Sequence, residues 1–339
     1  MTIRPFKRRL ASKYGEMIIC KDIPKWAFLT PDHFDLMTTQ PTRVDVLCVG
    51  HASYDLIFSI SHHPCEDEKI FADSFAGCGG GPAANAAVMI SRLGLKSAFA
   101  GYLGQDLYGD KHHKELAEYG VDIRLIVRGP SPTPLSAILV KPDGKRALIN
   151  YKGDTQALPA GAVDFSPVKP KVILFDGHEP HLSVALAERA HRDHIPSVLD
   201  AGSLHAGTSA LMDRVDYLVC SEKFARQFAG DVEIALARLA EIAPAVVITL
   251  GERGLLWQRN EEHGTMPAFP VAAIDTTGAG DAFHGAFAAA VALDMEWIDL
   301  LRYASAAGAL CCTKTGARLG IPSQEEHSAY LDQYKNRCI

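Results

Sequence analysis

The sequence predicts an α/β protein: a doubly wound, mostly parallel sheet flanked by helices, with a small β-sheet standing off it. Short apolar runs closed by glycine or a small polar residue recur along the chain, as buried strands do: VDVLCVG, SAFAGYLG, KVILFDG, SVLDAG, DYLVCS and AVVITLG. Alanine-rich stretches with apolar residues three and four apart lie between them, namely PAANAAVMISRLG, KHHKELAEYG, LSVALAERAHRD and DVEIALARLAEIA. Strands alternating with helices call for a parallel sheet covered on both faces.

Composition narrows the function before any motif is read. Hydrophobic residues make up 47% and charged residues 22% of 339, enough for a sizeable core. The net charge of −6 argues against a nucleic-acid partner, because no basic excess exists to neutralise phosphates. No apolar run approaches the roughly 18 residues that span a bilayer. The 8 cysteines form no CxxC pair, and Cys311 and Cys312 are adjacent in an apolar segment, so buried free thiols and a cytoplasmic location are expected.

Residues 1–43 read as an N-terminal extension. Lys7, Arg8, Arg9 and Lys13 make its start basic, without the apolar core of a signal peptide, and Glu16, Asp22, Asp32 and Asp35 interrupt any transit-peptide pattern. For residues 1–36 a flexible arm, an oligomer contact and an over-long gene start (Met37 opens MTTQPTRVDVLCVG) all stay open. Residues 44–330 form the α/β domain. Within it, SAILVKPDGKRALINY (136–151) is strand, Pro-Asp-Gly-Lys turn, strand. DLIFSISHHPCEDEKIFADSFAG (55–77) also alternates as β. Together these two segments predict the small sheet, placed as a lid.

Open parallel sheets bind ligands beyond the carboxyl ends of their strands. Those ends carry Asp55, Asp176 with His178, Asp200, Thr249 with Gly251, and Asp275, the last after VAAI, read as a further strand. Asp176, His178 and His181 stand at dipeptide-scale spacing at a strand end, which is weak evidence for a metal, and they fit better as substrate-facing groups. His191–His194 reads as a solvated helix end and His284 as a packed side chain.

The densest chemistry lies in IDTTGAGDAFHGAF, from Ile274 to Phe287. A helix N-terminus presents unpaired N–H donors and partial positive charge, so it is a ready anion site. Gly278 and Gly280 let the backbone curl and admit a phosphate closely. Asp281 alone would be an ordinary helix cap worth about 1 kcal/mol. The small residues on both sides clear a space in front of it. A carboxylate there can accept the proton of an attacking hydroxyl while the N–H groups hold a transferring phosphoryl.

This stretch resembles the C-terminal signature of the ribokinase-like (PfkB) family of sugar and nucleoside kinases, and AGCGGGPAANAAVMISRLG (76–94) resembles its N-terminal signature. The resemblance extends from Val44 to Pro322. It implies that Asp281 is the catalytic base and that Gly278, Ala279 and Gly280 form the anion hole. It implies substrate contacts by Asp55, Gly80, Gly81 and Asn85, and nucleotide contacts by Thr249, Gly251, Thr313 and Gly316. Asp275 and Thr277 would hold a monovalent cation, potassium, and ATP with Mg2+ would be the co-substrate. Relatives often pair their lids, so a homodimer is implied. The family's N-x-x-E motif is replaced by Ser221-Glu222-Lys223-Phe224, which places Ser221 on the nucleotide side and changes how Mg2+ would be held.

GGGPAA, INY and TKTGARLGIP look most like bacterial sulfofructose kinases, which phosphorylate a 6-sulfonated ketose at its 1-hydroxyl. Lys69 and Asn150 match that subgroup's sulfonate ligands, but His178 stands where its arginine fork would be. The expected activity is therefore ATP-dependent phosphorylation of a sugar, favoured as a ketose, free or with an acidic far end. A nucleoside kinase, with Phe58, Phe71 and Phe75 around a purine, and a non-catalytic sugar- or nucleotide-binding regulator are the alternatives.

Overall fold

A computed structural model describes residues 40–334, and the readings made for residues 1–36 lie outside them. β1 (Thr42–Val49), β2 (Ser53–Ser59) and β3 (Ser74–Gly80) lead into α1 (Pro82–Arg92), followed by β4 (Ser97–Gly104), α2 (Leu107–Glu118) and β5 (Asp122–Gly129). The hairpin β6 (Leu135–Val140) and β7 (Arg146–Tyr151) precedes β8 (Val168–Phe175), α3 (Pro180–Arg192), β9 (Ser197–Ala201) and α4 (Ala206–Leu211). Then come β10 (Tyr217–Ser221), α5 (Glu222–Ala229), α6 (Val232–Ala240), β11 (Ala245–Thr249), β12 (Leu255–Arg259) and β13 (Glu262–Met266). α7 (Ala279–Ala292), α8 (Trp297–Cys311), α9 (Ala317–Gly320) and α10 (Gln324–Tyr334) complete the described chain.

The apolar runs form a 9-stranded sheet in the order β13-β12-β11-β10-β9-β8-β1-β4-β5. Its pairs are parallel except β11 with β12 and β12 with β13. From β1 the chain builds outward through β4 and β5, then returns to the other side of β1 with β8. The β1–β8 boundary is thus the point where winding reverses, which is where such sheets open a crevice. One core joins the sheet to α1, α7 and α8, and a second joins the opposite face to α3, α5 and α6.

The alternating segments form the small sheet, a separate 4-stranded one in the order β3-β2-β6-β7. Register sets its two faces. Asp55 pairs with Ser136 and Ser136 with Asn150, so these three share one face with Ile57, Ile138 and Arg146. The opposite face carries Phe58, Phe75, Ile149 and Tyr151.

Three sequence readings need correction. Val271–Ile274 is no strand: the N–H groups of Ile274 and Asp275 donate to Cys312 O at 2.8 and 3.2 Å, which binds this loop to the end of α8. Strands β5, β12 and β13 were not singled out, because their apolar content is diluted by Arg, Gln and His. Among the free cysteines, Cys48, Cys78, Cys220 and Cys311 are buried as expected, but Cys65 is exposed.

Candidate active site

Gly278 adopts φ +76° at the start of α7, and a Cβ there would lie 2.5 Å from the Cβ of Ala317, so both conformation and space demand glycine. The first-turn amides behind it have no intrahelical acceptor. Asp281 stands in that turn, half-buried, and accepts a hydrogen bond from Asn85 Nδ2 at 2.7 Å. Burial raises its pKa above the usual aspartate value, and the nearby Asp176 adds to this; the Asn85 bond, Arg318 and Arg146 offset part of it. Asp200 is buried and pushed well up by burial and by its neighbours Asp281 and Asp176. His284 is packed as expected, with Nδ1 2.6 Å from Gly280 O and 3.3 Å from Asp200 Oδ2, and Nε2 3.2 Å from Val219 O.

The orientation of Asn85 is fixed by a residue that sequence reasoning passed over. Arg318 is 1% exposed and its Nε donates to Asn85 Oδ1 at 3.1 Å. Arginine only donates, so Asn85 must turn its NH2 toward Asp281. The same guanidinium donates to His112 Nε2 at 3.1 Å and faces Glu115 Oε1 at 3.5 Å, while Glu115 accepts Gly79 N–H at 2.7 Å. TKTGARLGIP was read for its loop, and nothing local shows that its arginine turns inward.

On the small sheet, Asp55 is buried and accepts from Ser53 Oγ at 3.1 Å. Burial pushes its pKa up to about 6 despite the hydroxyls of Ser53 and Ser136. A Cβ on Gly80 would sit 2.3 Å from its carboxylate, and one on Gly81 2.5 Å from the carbonyl oxygen of His51, so the glycine strip packs directly on this pocket. Asn150 is exposed in the same row as Asp55. Lys69 is exposed in the β2–β3 loop, its ammonium 5.6 Å from the centre of the Phe71 ring. His178 lies beyond β8, where its N–H donates to Asp176 Oδ1 at 2.9 Å, and His181 is exposed on α3.

The expected nucleotide side gathers at the ends of β10 and β11. Ser221 and Thr249 are register partners, and Gly251 follows with φ +61° in an exposed turn. Ser221 Oγ caps α5 by accepting Phe224 N–H at 3.1 Å and donates to Gly202 O at 2.9 Å. Glu222 is paired with Arg226 and Arg253, so it does not stand in for the missing N-x-x-E carboxylate. Thr313 Oγ1 closes the end of α8 on Leu310 O at 2.7 Å. Asp275 Oδ1 accepts from Thr277 N–H at 2.9 Å and Thr277 Oγ1 at 2.6 Å, and Oδ2 from Gly316 N–H at 2.7 Å. Arg146, unanticipated from the hairpin sequence, hydrogen-bonds Thr277 and lies 3.8 Å from Asp275. An ionised carboxylate offers about four acceptor sites, and the Thr277 and Gly316 donors take three of them on Asp275. Among the described residues no three His, Cys, Asp or Glu side chains converge as metal ligands. Mg2+ therefore fits as part of the ATP complex, held chiefly by phosphates and water.

A family model described as pfkB family carbohydrate kinase matches residues 43–324. The chain belongs to this family. It is similar to the ribokinase of Lactococcus lactis, 27% identical over 296 residues that span 86% of this chain and 98% of the relative. Fructokinase-1 of Zea mays is 27% identical over 286 residues, spanning 75% of this chain and 88% of the relative. The structure of Arabidopsis thaliana ribokinase complexed with ribose and ATP superposes with TM-score 0.76 at 25% identity, covering 86% of this chain and 99% of that one. Like its family, the chain is an ATP-dependent carbohydrate kinase that phosphorylates an alcohol.

Proposed function

We propose that the protein phosphorylates a hydroxyl of a ketose that carries an acidic group at its far end, with Asp281 as the base. The observation that carries the reading is the meeting of Asp281 with the start of α7, where Gly278 turns the chain at φ +76° and the first turn lacks i−4 acceptors: a proton acceptor and an anion receptor meet at one point. Asp55 and the Gly80–Gly81 strip receive sugar hydroxyls, and Asn150, Lys69 and His178 face the far end. Asn85 gives one of its two N–H donors to Asp281, which leaves the other for a sugar hydroxyl. Ser221, Thr249, Gly251, Thr313 and Gly316 border the nucleotide.

Asp281 removes the hydroxyl proton as the γ-phosphoryl of MgATP moves in line, and the amides of Gly278, Ala279 and Gly280 hold the charge that builds on it. Mg2+ supplies charge neutralisation on the phosphates. Arg146, at the joint between small sheet and anion turn, is placed to add a second positive charge. The small sheet acts as a lid that excludes water. Its outer face, where Phe75 is 60% and Ile149 66% exposed, suits pairing with a second copy, and the cytoplasm suits the free thiols. The nucleoside-kinase reading loses ground, because Phe58 and Phe75 point away from the cleft and Phe71 is 81% exposed.

Purified protein should consume ATP with one ketose preferred over a panel of pentoses, aldoses and nucleosides. Asp281→Asn should lower kcat about 10²–10⁴-fold with the fold kept. Near wild-type turnover in that variant would remove the base assignment, and ATP binding without any acceptor would favour a regulatory protein.

A further inference from the structure

One buried arginine ties the loop after α8 to the base. Arg318 stands in α9, two residues after Gly316, whose N–H is held by Asp275 Oδ2 at 2.7 Å. Its side chain turns inward and is 1% exposed. The guanidinium reaches two further elements. Nε donates to Asn85 Oδ1 on α1 at 3.1 Å, and Nη2 donates to His112 Nε2 on α2 at 3.1 Å. Nη1 lies 3.5 Å from Glu115 Oε1, and Glu115 Oε2 accepts the Gly79 N–H at the end of β3 at 2.7 Å. Among the described residues Nη1 has no hydrogen-bond acceptor of its own. Taking a guanidinium out of water without a full set of acceptors is costly, and an apolar side chain often packs as well or better in its place. What this one adds is direction. An amide has a donor end and an acceptor end, and Arg318 decides which of them Asn85 presents to Asp281.

We propose that Arg318 is a positioning residue for the reaction: it keeps the Asn85 group that touches Asp281 a donor through the whole turnover. The inference rests on the reading of Asp281 as the base. In the transfer the sugar oxygen bonds to the γ-phosphorus, the bond to the ADP oxygen breaks, and the hydroxyl proton ends on Asp281. A protonated carboxyl is itself a donor, so an amide free to turn would offer it oxygen and trap the proton there. Arg318 only donates; it holds Asn85 Oδ1 and blocks that turn. The protonated base then faces a donor, gives its proton up to solvent and is ready for the next substrate. The fixed charge acts in the same sense. Asp55, Asp176 and Asp200 face Asp281, as does the Cys311 thiol, and Arg318 with Arg146 opposes the protonated state that these carboxylates favour.

Carbon-13 NMR of the full-length protein labelled at its aspartate carboxyls reads the base without turnover, the Asp281 signal being assigned by its loss in Asp281→Asn. In Arg318→Gln the Asp281 midpoint should move to higher pH, because a positive charge is gone and the amide is free to turn. Arg318→Lys keeps the charge but not the planar fork, and should move it less. On whichever sugar wild type turns over, both variants should lower kcat about 10²-fold, the cost of misplacing a reacting group by about 1 Å, with KM for MgATP unchanged. A thermal unfolding curve checks that they fold. Wild type supplies a test that needs neither variant: the Asn85 Nδ2 signal in nitrogen-15 spectra, assigned by its loss in Asn85→Ser, should shift with the Asp281 midpoint. An Asp281 midpoint unmoved in Arg318→Gln, an Asn85 amide indifferent to the ionisation of Asp281, or a folded Arg318→Gln with wild-type kcat would each overturn the proposal. Wild-type turnover in Asp281→Asn is a separate result; it would remove the base reading and this proposal with it.

Discussion

Both faces of the nine-stranded sheet are covered, by α1, α7 and α8 on one side and α3, α5 and α6 on the other, whereas the four-stranded sheet has one face with a core of Ile57, Cys78, Ile138 and Val140 and an opposite face of partly exposed aromatics. The first is a platform whose strand ends cannot easily move. The second is thin, holds few buried contacts, and carries functional groups by register alone. The comparison suggests a division of labour: the anion turn and Asp281 belong to the rigid body, and the groups proposed to receive the sugar sit on the part able to yield.

Matched truncations in the two cores would break or sharpen that contrast. Phe175→Ala should cost about 3–5 kcal/mol and lower the global unfolding midpoint in denaturant. Ile138→Ala should cost about 2 kcal/mol and show chiefly as faster amide exchange in β2, β3, β6 and β7. Equal global losses in both variants would mean that the two sheets unfold as one unit.

A smaller effect concerns buried carboxylates. Glu179, at the platform's strand ends, is pushed up to about 7 by burial despite accepting Leu158 N–H at 2.6 Å, and Asp55 on the small sheet reaches about 6. Both values lie above the ordinary carboxylate range, so the folded state holds protons that the unfolded chain releases. Ionisation therefore destabilises: this contribution to stability is lost as pH rises through about 7, and regained as it falls toward the unfolded values. The buried imidazoles with lowered proton affinity pull the other way, so the test is a difference: between about pH 8 and pH 6 the melting temperature of wild type should gain relative to that of Glu179→Gln. The same slope in both proteins would exclude a contribution from Glu179.

The smallest effect on folding is expected on the outer face of the small sheet. Ile149→Lys should change monomer stability by no more than about 0.5 kcal/mol. It should halve the mass seen by light scattering if the lids pair. A wild-type protein that is monomeric at assay concentration would remove the dimer.

Legibility followed the same boundary. The turn before α7 was readable because its parts are consecutive: glycines, Asp281 and helix occupy one stretch. The platform strands were readable because burial on both faces makes them continuous apolar runs. Asn85 was found, but its partner Arg318 lies 233 residues away, and Arg146 and Thr277 are 131 apart. Such contacts are set by topology, which no local pattern encodes. Val271–Ile274 misled in the opposite sense, because four apolar residues suit a strand or a packed loop equally well.

The pairing of Ser136 with Asn150 and of Val140 with Arg146 is fixed by the turn at Lys141–Lys145. Side chains alternate along a strand, so one residue added to that turn would rotate Ile149 and Tyr151 toward the cleft and carry Arg146 and Asn150 out to solvent. An insertion on the surface, with every cleft residue still encoded, would exchange a polar wall for a greasy one. The length of one surface loop thus decides which side chains line the inner face of this sheet, and relatives that differ there by a single residue should not be expected to present the same wall.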